Sequence, residues 1–433
     1  MTNKNNQPFN VIVILLLCLP VALPIIVVLA SLIFSESQSW VHLRDNLLTE
    51  YASNTLYLSI LVWAQAAIIG VGCAWLTTTF EFPGVRIFSW ALVLPLAVPT
   101  YIAGYVYAEF FEFSGPLQSL IRDHLWFGST SFYMPNIRSL GGASIVISLV
   151  LYPYIYLLSK TSFENQSGLL RSAASSLGAN TATTFFKLIL PLSRPAIAGG
   201  SALVVMETMA DYGVVEHFGV ATFTTGIFRT WYGMGDHGTA LQLTACLFFF
   251  VAVLIIVEQT LVKGNTFNPT SNYQASKRIR LTGIRSWLAF FACLAPLAFG
   301  FALPLFVLGG YALQEYQQDL SILINNYARN SVVVASIGAA ICVTASLWLT
   351  YANRIQHRLL AKIGIKLSTL GYAIPGIILA IGLLVPLTYV DHFIAEPISD
   401  VLGGRPRLWI TGSMTALVIV YVARFLAVSY NST

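Results

Sequence analysis

The stretch 164–197, ENQSGLLRSAASSLGANTATTFFKLILPLSRPAI, decides how the rest of the chain is interpreted. It is polar and rich in small residues, yet it lies between two strongly apolar segments. Leu169, Ala173 and Leu177 recur every four residues, which predicts a short amphipathic helix. Gly178 follows directly, and a glycine just past the last periodic residue commonly ends a helix.

A second short helix is predicted after this glycine. Asn180 or Thr181 can cap its N-terminus with a side-chain oxygen, and Pro191 and Pro195 close the element. The apolar residues that this second helix carries are Phe185, Phe186, Leu188 and Ile189. Two short helices that meet at a glycine form an apolar projection. It can dock into a groove of a soluble partner or lie flat on lipid headgroups, and these residues leave both alternatives open.

The same stretch resembles the EAA loop of bacterial ABC importer permeases. That family has Glu-Ala-Ala, three residues, Gly, nine residues, an aliphatic residue, one residue and Leu-Pro. Every spacing matches, with Ser172 in the place of the usual Glu. The resemblance implies a coupling helix that docks into a cytoplasmic ATPase subunit. The residues that it assigns to ATPase coupling are Ser172, Ala173, Ala174, Gly178, Leu190 and Pro191.

Composition indicates a polytopic membrane protein. The chain has 433 residues, of which 56% are hydrophobic and 9% charged, and its mean hydropathy is +0.73. Soluble domains carry about 25% charged residues. The five cysteines lie in apolar runs without CxxC spacing, so we interpret them as small buried hydrophobic residues. The net charge of +5 does not indicate nucleic-acid binding.

Ten segments are long and apolar enough to cross a bilayer, which takes about 20 residues. They are 11–33, 56–77, 87–108, 141–159, 195–215, 240–262, 287–309, 331–351, 369–390 and 409–428. Prolines inside several of them predict kinks. With a cytoplasmic N-terminus, 15 of the 23 Lys and Arg residues fall in cytoplasmic segments and seven outside. This asymmetry favours a multi-pass protein with its N-terminus in the cytoplasm.

An internal repeat is predicted from three residue pairs that are each 276 positions apart: Pro20 and Pro296, Asn54 and Asn330, and Pro99 and Pro375. The fold class expected from this repeat and from the EAA resemblance is an all-α polytopic type I ABC importer fold with two parallel six-helix halves. The expected division is a first helix and outer loop (1–53), a first transmembrane domain (54–262) containing the coupling loop (164–197), a basic linker (263–286), a seventh helix and outer loop (287–329), and a second transmembrane domain (330–433).

The second half contains four predicted spans where the first contains six. The counterpart of Ser172 would lie near position 441 or 448, depending on the alignment, and the sequence ends at Thr433. We therefore expect the intact protein to continue through a second coupling loop and two further spans.

Nothing in the sequence reads as an enzyme active site, because the GxxxxGK[ST], HExxH and GxSxG motifs are missing. Glu207 and Asp211 are four residues apart in the predicted fifth span, so they would share a helix face. Ionisable groups inside a membrane usually face a polar path or a partner, and we interpret this pair as substrate-path residues or as structural hydrogen-bonding groups. Farther on, Glu216-His217 and Asp236-His237 are either ligands for a hard cation or solvated loop residues, so metal ligands stay unassigned.

A closer resemblance begins with the run 206–213, METMADYG, and extends to Thr224-Thr225-Gly226-Ile227 and Trp231. These residues resemble fused ferric-iron importer permeases. The resemblance implies Fe(III) as substrate, a periplasmic binding protein and two cytoplasmic ATPase subunits as partners, an inner-membrane location, and no cofactor in the permease. Thiamine and phosphonate permeases share the fused architecture and remain alternatives. An ion-coupled secondary transporter is the alternative from another class, and it would have no need of the coupling loop.

Overall fold

The structure is a computed structural model that describes residues 7–34, 38–124, 136–166, 174, 176–262, 278–314, 323–355, 359–402 and 408–433. These ranges are predominantly helical, and the prediction of an all-α polytopic membrane protein is confirmed. The only described strands are β1 (Phe80–Glu81) and β2 (Ile279–Arg280), which pair in parallel.

The helices are given in chain order. Those before the linker are α1 Gln7–Phe34, α2 Gln38–Asn46, α3 Leu48–Thr79, α4 Val85–Ala91, α5 Thr100–Phe111, α6 Pro116–His124, α7 Leu140–Asn165, α8 Thr181–Leu192, α9 Arg194–Ala210, α10 Gly213–His217, α11 Phe223–Phe228 and α12 His237–Val262. Those after it are α13 Ile284–Gln314, α14 Arg329–Ile355, α15 Leu359–Ser368, α16 Gly376–Leu402 and α17 Met414–Ser432.

Within the described ranges, eight helices are long and apolar enough to cross a membrane, or up to ten if each of two bent helix pairs is one span. The predicted third span is one of these pairs, and its two parts meet at 90°. The break follows from Pro99, because a proline forces the residue before it out of the helical region. Val98 is accordingly extended, with φ −95° and ψ 114°. The kink that the prolines inside 87–108 predict is therefore present, as a break between two helices.

The chain divides into two compact units that are not contiguous in sequence. We call Leu47–Thr225 with Ala252–Gln314 the middle unit. Met1–Asn46, Gly226–Val251 and Glu315–Thr433 form the end unit. Each unit is described by itself.

In the middle unit, α3 and α9 both pack closely on α7 at glycines. A Cβ on Gly70 would lie 2.9 Å from the Tyr152 carbonyl oxygen, and one on Gly200 would lie 2.8 Å from the Ile155 Cα. The helix α13 joins the same unit at Gly300, where a Cβ would lie 2.5 Å from the Leu149 carbonyl oxygen. Small residues at such crossings let helix backbones approach each other closely inside a membrane.

In the end unit, α1 packs on helices that follow it by more than 300 residues. A Cβ on Gly364 of α15 would lie 2.7 Å from the Ile14 side chain, and one on Gly382 of α16 would lie 2.6 Å from that of Pro24. Each unit thus contains a long helix that is distant in sequence from its packing partners, namely α13 in the middle unit and α1 in the end unit.

Candidate coupling element and embedded carboxylates

Hydrogen bonds join the end of α7 to the bend between α8 and α9. These two helices meet at 70°, and the residue between them, Ser193, is fully buried. Its hydroxyl accepts hydrogen bonds from Ser162 Oγ at 3.0 Å and from Gln166 Nε2 at 2.6 Å. Ser162 and Gln166 are four residues apart, so both reach the bend from one face of the chain leaving α7. This network fixes the base of the predicted coupling element.

Gly178 ends the first short helix as the sequence predicts. Its φ is +80°, in the left-handed region where glycine carries no Cβ penalty. The Ala179 N–H donates to the Ala174 carbonyl at 3.0 Å, which is the six-to-one hydrogen bond of a Schellman cap. Ser172 and Ala173 lie outside the described residues, so only the second half of this helix can be compared with the prediction.

Asn180 caps the second short helix, α8, through a 2.7 Å hydrogen bond that the Thr183 N–H donates to its Oδ1. The middle of α8, Phe185–Ile189, is a π-helical turn in which Leu190 N–H donates to the Phe185 carbonyl. Pro191 follows at once, and a proline cannot donate within a helix and crowds the preceding turn. The wider turn accommodates that proline, so the helix continues to Leu192 before the bend.

Aromatic contacts hold α8 against α3 and α7 within the middle unit. The ring of Phe185 lies 4.7 Å from that of Trp75 on α3 and 6.3 Å from that of Phe163 on α7. Trp75 and Phe163 also contact each other edge to face at 6.1 Å. Such pairs contribute about 0.5–1.5 kcal/mol beyond their buried area. A displacement of α8 must therefore disturb α3 and α7 as well.

The opposite side of the element is exposed and apolar. Leu177 is 88% exposed and Phe186 is 65% exposed, and Lys187 beside them is also exposed. Of the four apolar residues predicted for docking, Phe186 faces outward whereas Ile189 is fully buried. Neither the contact of α8 with Trp75 nor the hydrogen bonds at Ser193 was predicted from the sequence. The one feature that could have indicated these hydrogen bonds is the four-residue spacing of Ser162 and Gln166.

The two carboxylates of the predicted substrate path are placed differently. The helix predicted to reach 215 ends at Ala210, because Asp211 has an extended backbone with φ −68° and ψ 124°. Asp211 is buried and its Oδ1 accepts the Val214 N–H at 2.8 Å, so its carboxylate caps the first turn of the short helix α10. Glu207 lies in the last turn of α9 and is half-buried. The helix that carries Glu207 thus ends one residue before Asp211, and the substrate-path role of the pair stays a prediction.

One of the two acidic-histidine pairs has a structural role at a helix N-terminus. Asp236 accepts hydrogen bonds from the Thr239 N–H at 3.0 Å and the Thr239 hydroxyl at 2.9 Å, so it caps α12. Glu216 is exposed. Among the residues that the structure describes, no three His, Cys, Asp or Glu side chains are grouped so that they could hold a metal ion.

Comparison with known proteins identifies transport-system permeases. No family profile matches the chain. It is 25% identical over 390 residues to the "Fe(3+)-transport system permease protein FbpB 2" of Haemophilus influenzae, covering 86% of this chain and 70% of that protein. It is 21% identical over 411 residues to the "Ferric transport system permease protein FbpB" of Actinobacillus pleuropneumoniae, covering 88% of this chain and 55% of that one.

A shorter relative matches about half of the chain. The "Molybdenum transport system permease protein ModB" of Haemophilus influenzae is 27% identical over 207 residues, which cover 47% of this chain and 86% of that protein. The chain therefore aligns with most of one short permease but with only 55% of the Actinobacillus pleuropneumoniae protein.

Proposed function

We propose that this chain is a membrane-spanning permease subunit of an ATP-driven ABC importer and that the ion it carries is Fe(III). The observation that carries the proposal is the match of 86% of the chain to a Fe(3+)-transport permease. The two short helices that meet at Gly178 support the ABC class. They expose Leu177 and Phe186, and hydrogen bonds at Ser193 fix their attachment to α7. The chain supplies a path and a lever, and separate ATPase subunits hydrolyse ATP.

The contacts of α8 explain how a movement of this helix would reach the membrane helices. A partner that moves α8 also moves Phe185 against Trp75 and Phe163, and it pulls on Ser193 at the start of α9. Packed elements of this kind shift as bodies between discrete arrangements rather than bending continuously. Docking of an ATPase on α8 would therefore be transmitted to three membrane helices, α3, α7 and α9.

The proposed architecture is a fused permease with two related halves, the domains 54–262 and 330–433. Local structure recurs at the repeat spacing, since Ile374 before Pro375 is extended like Val98 before Pro99. Ser139 and Ser413, which are 274 positions apart, both cap the next long helix with a side-chain oxygen. The ModB match, which spans about half of this chain, is in keeping with one half as a complete module.

The proposed location is a bacterial inner membrane with the N-terminus and the coupling loop in the cytoplasm, where ATP is. The test is a set of reporter fusions. Fusions after Asn265 and Leu359 should report a cytoplasmic position, and fusions after Trp126 and Gln317 an external one. An external signal at Asn265 would contradict the proposed topology.

Transport itself is tested by reconstitution. The chain is purified with candidate ATPase and periplasmic binding-protein partners, placed in proteoliposomes, and supplied with radioactive Fe(III). We expect uptake that requires ATP and the binding protein, and no uptake of molybdate. ATP-dependent molybdate uptake would overturn the substrate, and uptake driven by an ion gradient without the ATPase would overturn the class.

The coupling role is tested with substitutions at and just before the turn at Gly178. Gly178→Pro cannot keep a φ of +80°, and it should release the ATPase while membrane insertion is retained. Ala174→Glu should weaken docking by placing a charge on the predicted apolar face. Gly219→Pro is the matched control, because Gly219 has a similar φ of +69° in a loop on the other side of the membrane. Copurification of the ATPase at wild-type levels with Gly178→Pro would contradict the coupling role.

The substrate-path role of Glu207 is tested with Glu207→Ala. If Glu207 contacts the substrate, uptake should fall much more than the amount of protein in the membrane. If it is structural, both should fall together, by the small effect of an intramembrane hydrogen bond of about 0.6 kcal/mol.

A further inference from the structure

The middle unit contains a cavity of about 620 Å³ beside the coupling element. Its walls come from α9, from the last turns of α12, and from single residues of α3 and α8. Most of its lining is apolar, including Ile197, Ala198, Val205, Leu254 and Val257. A surface of this composition is a poor environment for a trivalent cation, whose dehydration is costly without charged ligands.

Two opposite charges line one end of this cavity. Arg194 is the first residue of α9 and is exposed, and Glu258 lies one turn before the end of α12 and is half-buried. Both therefore belong to the same side of the membrane, where α9 begins and α12 ends. Among the described residues, the pair forms no salt bridge. The two charges are thus available to separate groups of one ligand.

The length of the cavity matches one leaflet. Its wall on α9 extends from Arg194 to Val205, eleven residues and about 16 Å at 1.5 Å per residue. Half of a hydrocarbon core about 30 Å thick is about 15 Å. Trp63, near the middle of α3, contributes to the same lining. The cavity therefore reaches from the headgroup level to about the midplane.

We propose that this cavity binds one phospholipid with a zwitterionic, amine-bearing headgroup of the phosphatidylethanolamine type. The phosphate contacts Arg194, the primary ammonium contacts Glu258, and one acyl chain lies along α9. A phosphatidylglycerol headgroup has no cation for Glu258 and suffers repulsion from it. A phosphatidylcholine headgroup carries no N–H that can donate to the carboxylate.

The site lies at the bend that the coupling element uses. Leu190 and Arg194 line the cavity on either side of Ser193, so a bound lipid contacts both α8 and α9. The inference does not depend on which ion is transported, and it can fail while the proposed function holds.

The test measures lipid binding to the purified transporter by native mass spectrometry after delipidation. Synthetic phosphatidylethanolamine, phosphatidylglycerol and phosphatidylcholine with identical chains are added one at a time. We expect phosphatidylethanolamine to bind about tenfold more tightly than the other two. Equal binding of all three lipids would overturn the proposal.

Charge variants sharpen the test. Arg194→Gln should weaken phosphatidylethanolamine binding about tenfold, as for the loss of one charge-assisted contact. Glu258→Gln should instead remove the preference, because phosphatidylglycerol is no longer repelled. The matched control is Arg354→Gln, which removes an exposed cation at the cytoplasmic end of α14 in the other unit. Charge variants that behave like the control would contradict the site.

A second measurement places the acyl chain. Phosphatidylethanolamine with brominated chains should quench Trp63 fluorescence, obtained as the difference between the wild type and Trp63→Phe. Ala198→Trp should fill the cavity and abolish that quenching, with thermal melting used to verify that this variant folds. Quenching that persists at wild-type strength in folded Ala198→Trp would place the lipid elsewhere and overturn the proposal.

Discussion

The middle and end units each contain a close helix crossing, and the two crossings are held by different chemistry. In the middle unit, α3 meets α7 at Gly70, where a Cβ would lie 2.9 Å from the Tyr152 carbonyl oxygen. In the end unit, α14 meets α17 at Ser346, whose hydroxyl lies 2.8 Å from that of Ser429. Gly70 and Ser346 are 276 positions apart, which is the spacing of the sequence repeat. One crossing thus depends on the absence of a side chain and the other on a hydrogen bond between two small ones.

The long helices that join each unit from elsewhere in the chain differ in a similar way. On α13 the small residue is on the incoming helix, because Gly300 lies against Leu149 and Pro95. On α1 the incoming residue is Pro24, and the glycine that receives it is Gly382 of α16. Two helices can approach closely when either of them carries a small residue at the crossing. The small residue therefore lies on the incoming helix α13 in the middle unit and on the receiving helix α16 in the end unit.

The largest expected effect is at the glycine crossing. Gly70→Ala places a methyl group against backbone atoms of α7, which cannot move aside as a side-chain end can. Overpacking of this kind should lower the free energy of unfolding by up to about 3 kcal/mol. The measurement is the loss of thermal stability in detergent, together with the amount of folded protein in the membrane.

Gly338→Ala is the matched control in the end unit. A Cβ there would lie 3.7 Å from Tyr421, an ordinary van der Waals distance. Since alanine exceeds glycine in helix propensity by about 1 kcal/mol, this variant should be neutral or slightly stabilising. Equal destabilisation by both substitutions would remove the distinction between the two crossings.

The units also differ in α8, the second helix of the predicted coupling element, which belongs to the middle unit. Phe185→Ala removes a half-buried ring from its contacts with Trp75 and Phe163, and it should cost about 2 kcal/mol, less than a fully buried Phe→Ala change. Phe186→Ala, at an exposed neighbour, should leave the melting temperature unchanged but weaken ATPase copurification. A stability loss from Phe186→Ala equal to that from Phe185→Ala would contradict the assigned inward and outward faces.

These two phenylalanines show what the sequence could predict. The spans, the stop at Gly178 and the Asn180 cap depend on local hydropathy and backbone preferences, which the sequence carries directly. Which phenylalanine faces inward depends on the π-turn before Pro191 and on Trp75, more than a hundred residues away. The packing partners of α1 and α13 could likewise not be predicted from the sequence, because lipid and protein are equally apolar surroundings for such helices.

The serine at the base of the coupling element should have a smaller effect. Ser193→Ala deprives the buried Gln166 amide and the Ser162 hydroxyl of their shared acceptor. An unsatisfied buried group of this kind costs about 1 kcal/mol or somewhat more. We expect a small fall in melting temperature and a larger fall in ATP-dependent uptake, because the bend loses its fixed angle. Wild-type uptake with Ser193→Ala would show that the network is not needed for coupling.

The smallest effect is expected at the serine crossing of the end unit. Ser346 is fully buried, and its hydroxyl also donates to the Val343 carbonyl at 2.9 Å, so Ser346→Ala removes one interhelical contact without opening a large cavity. Hydrogen bonds between membrane helices contribute about 0.6 kcal/mol on average, and a double-mutant cycle with Ser429→Ala isolates that contribution from the loss of each hydroxyl alone. A coupling energy near this value, together with the much larger cost of Gly70→Ala, would show that the crossing of α3 with α7 and that of α14 with α17 differ in strength. A coupling energy of zero would mean that the two hydroxyls only lie close together, and that backbone packing alone holds α14 against α17.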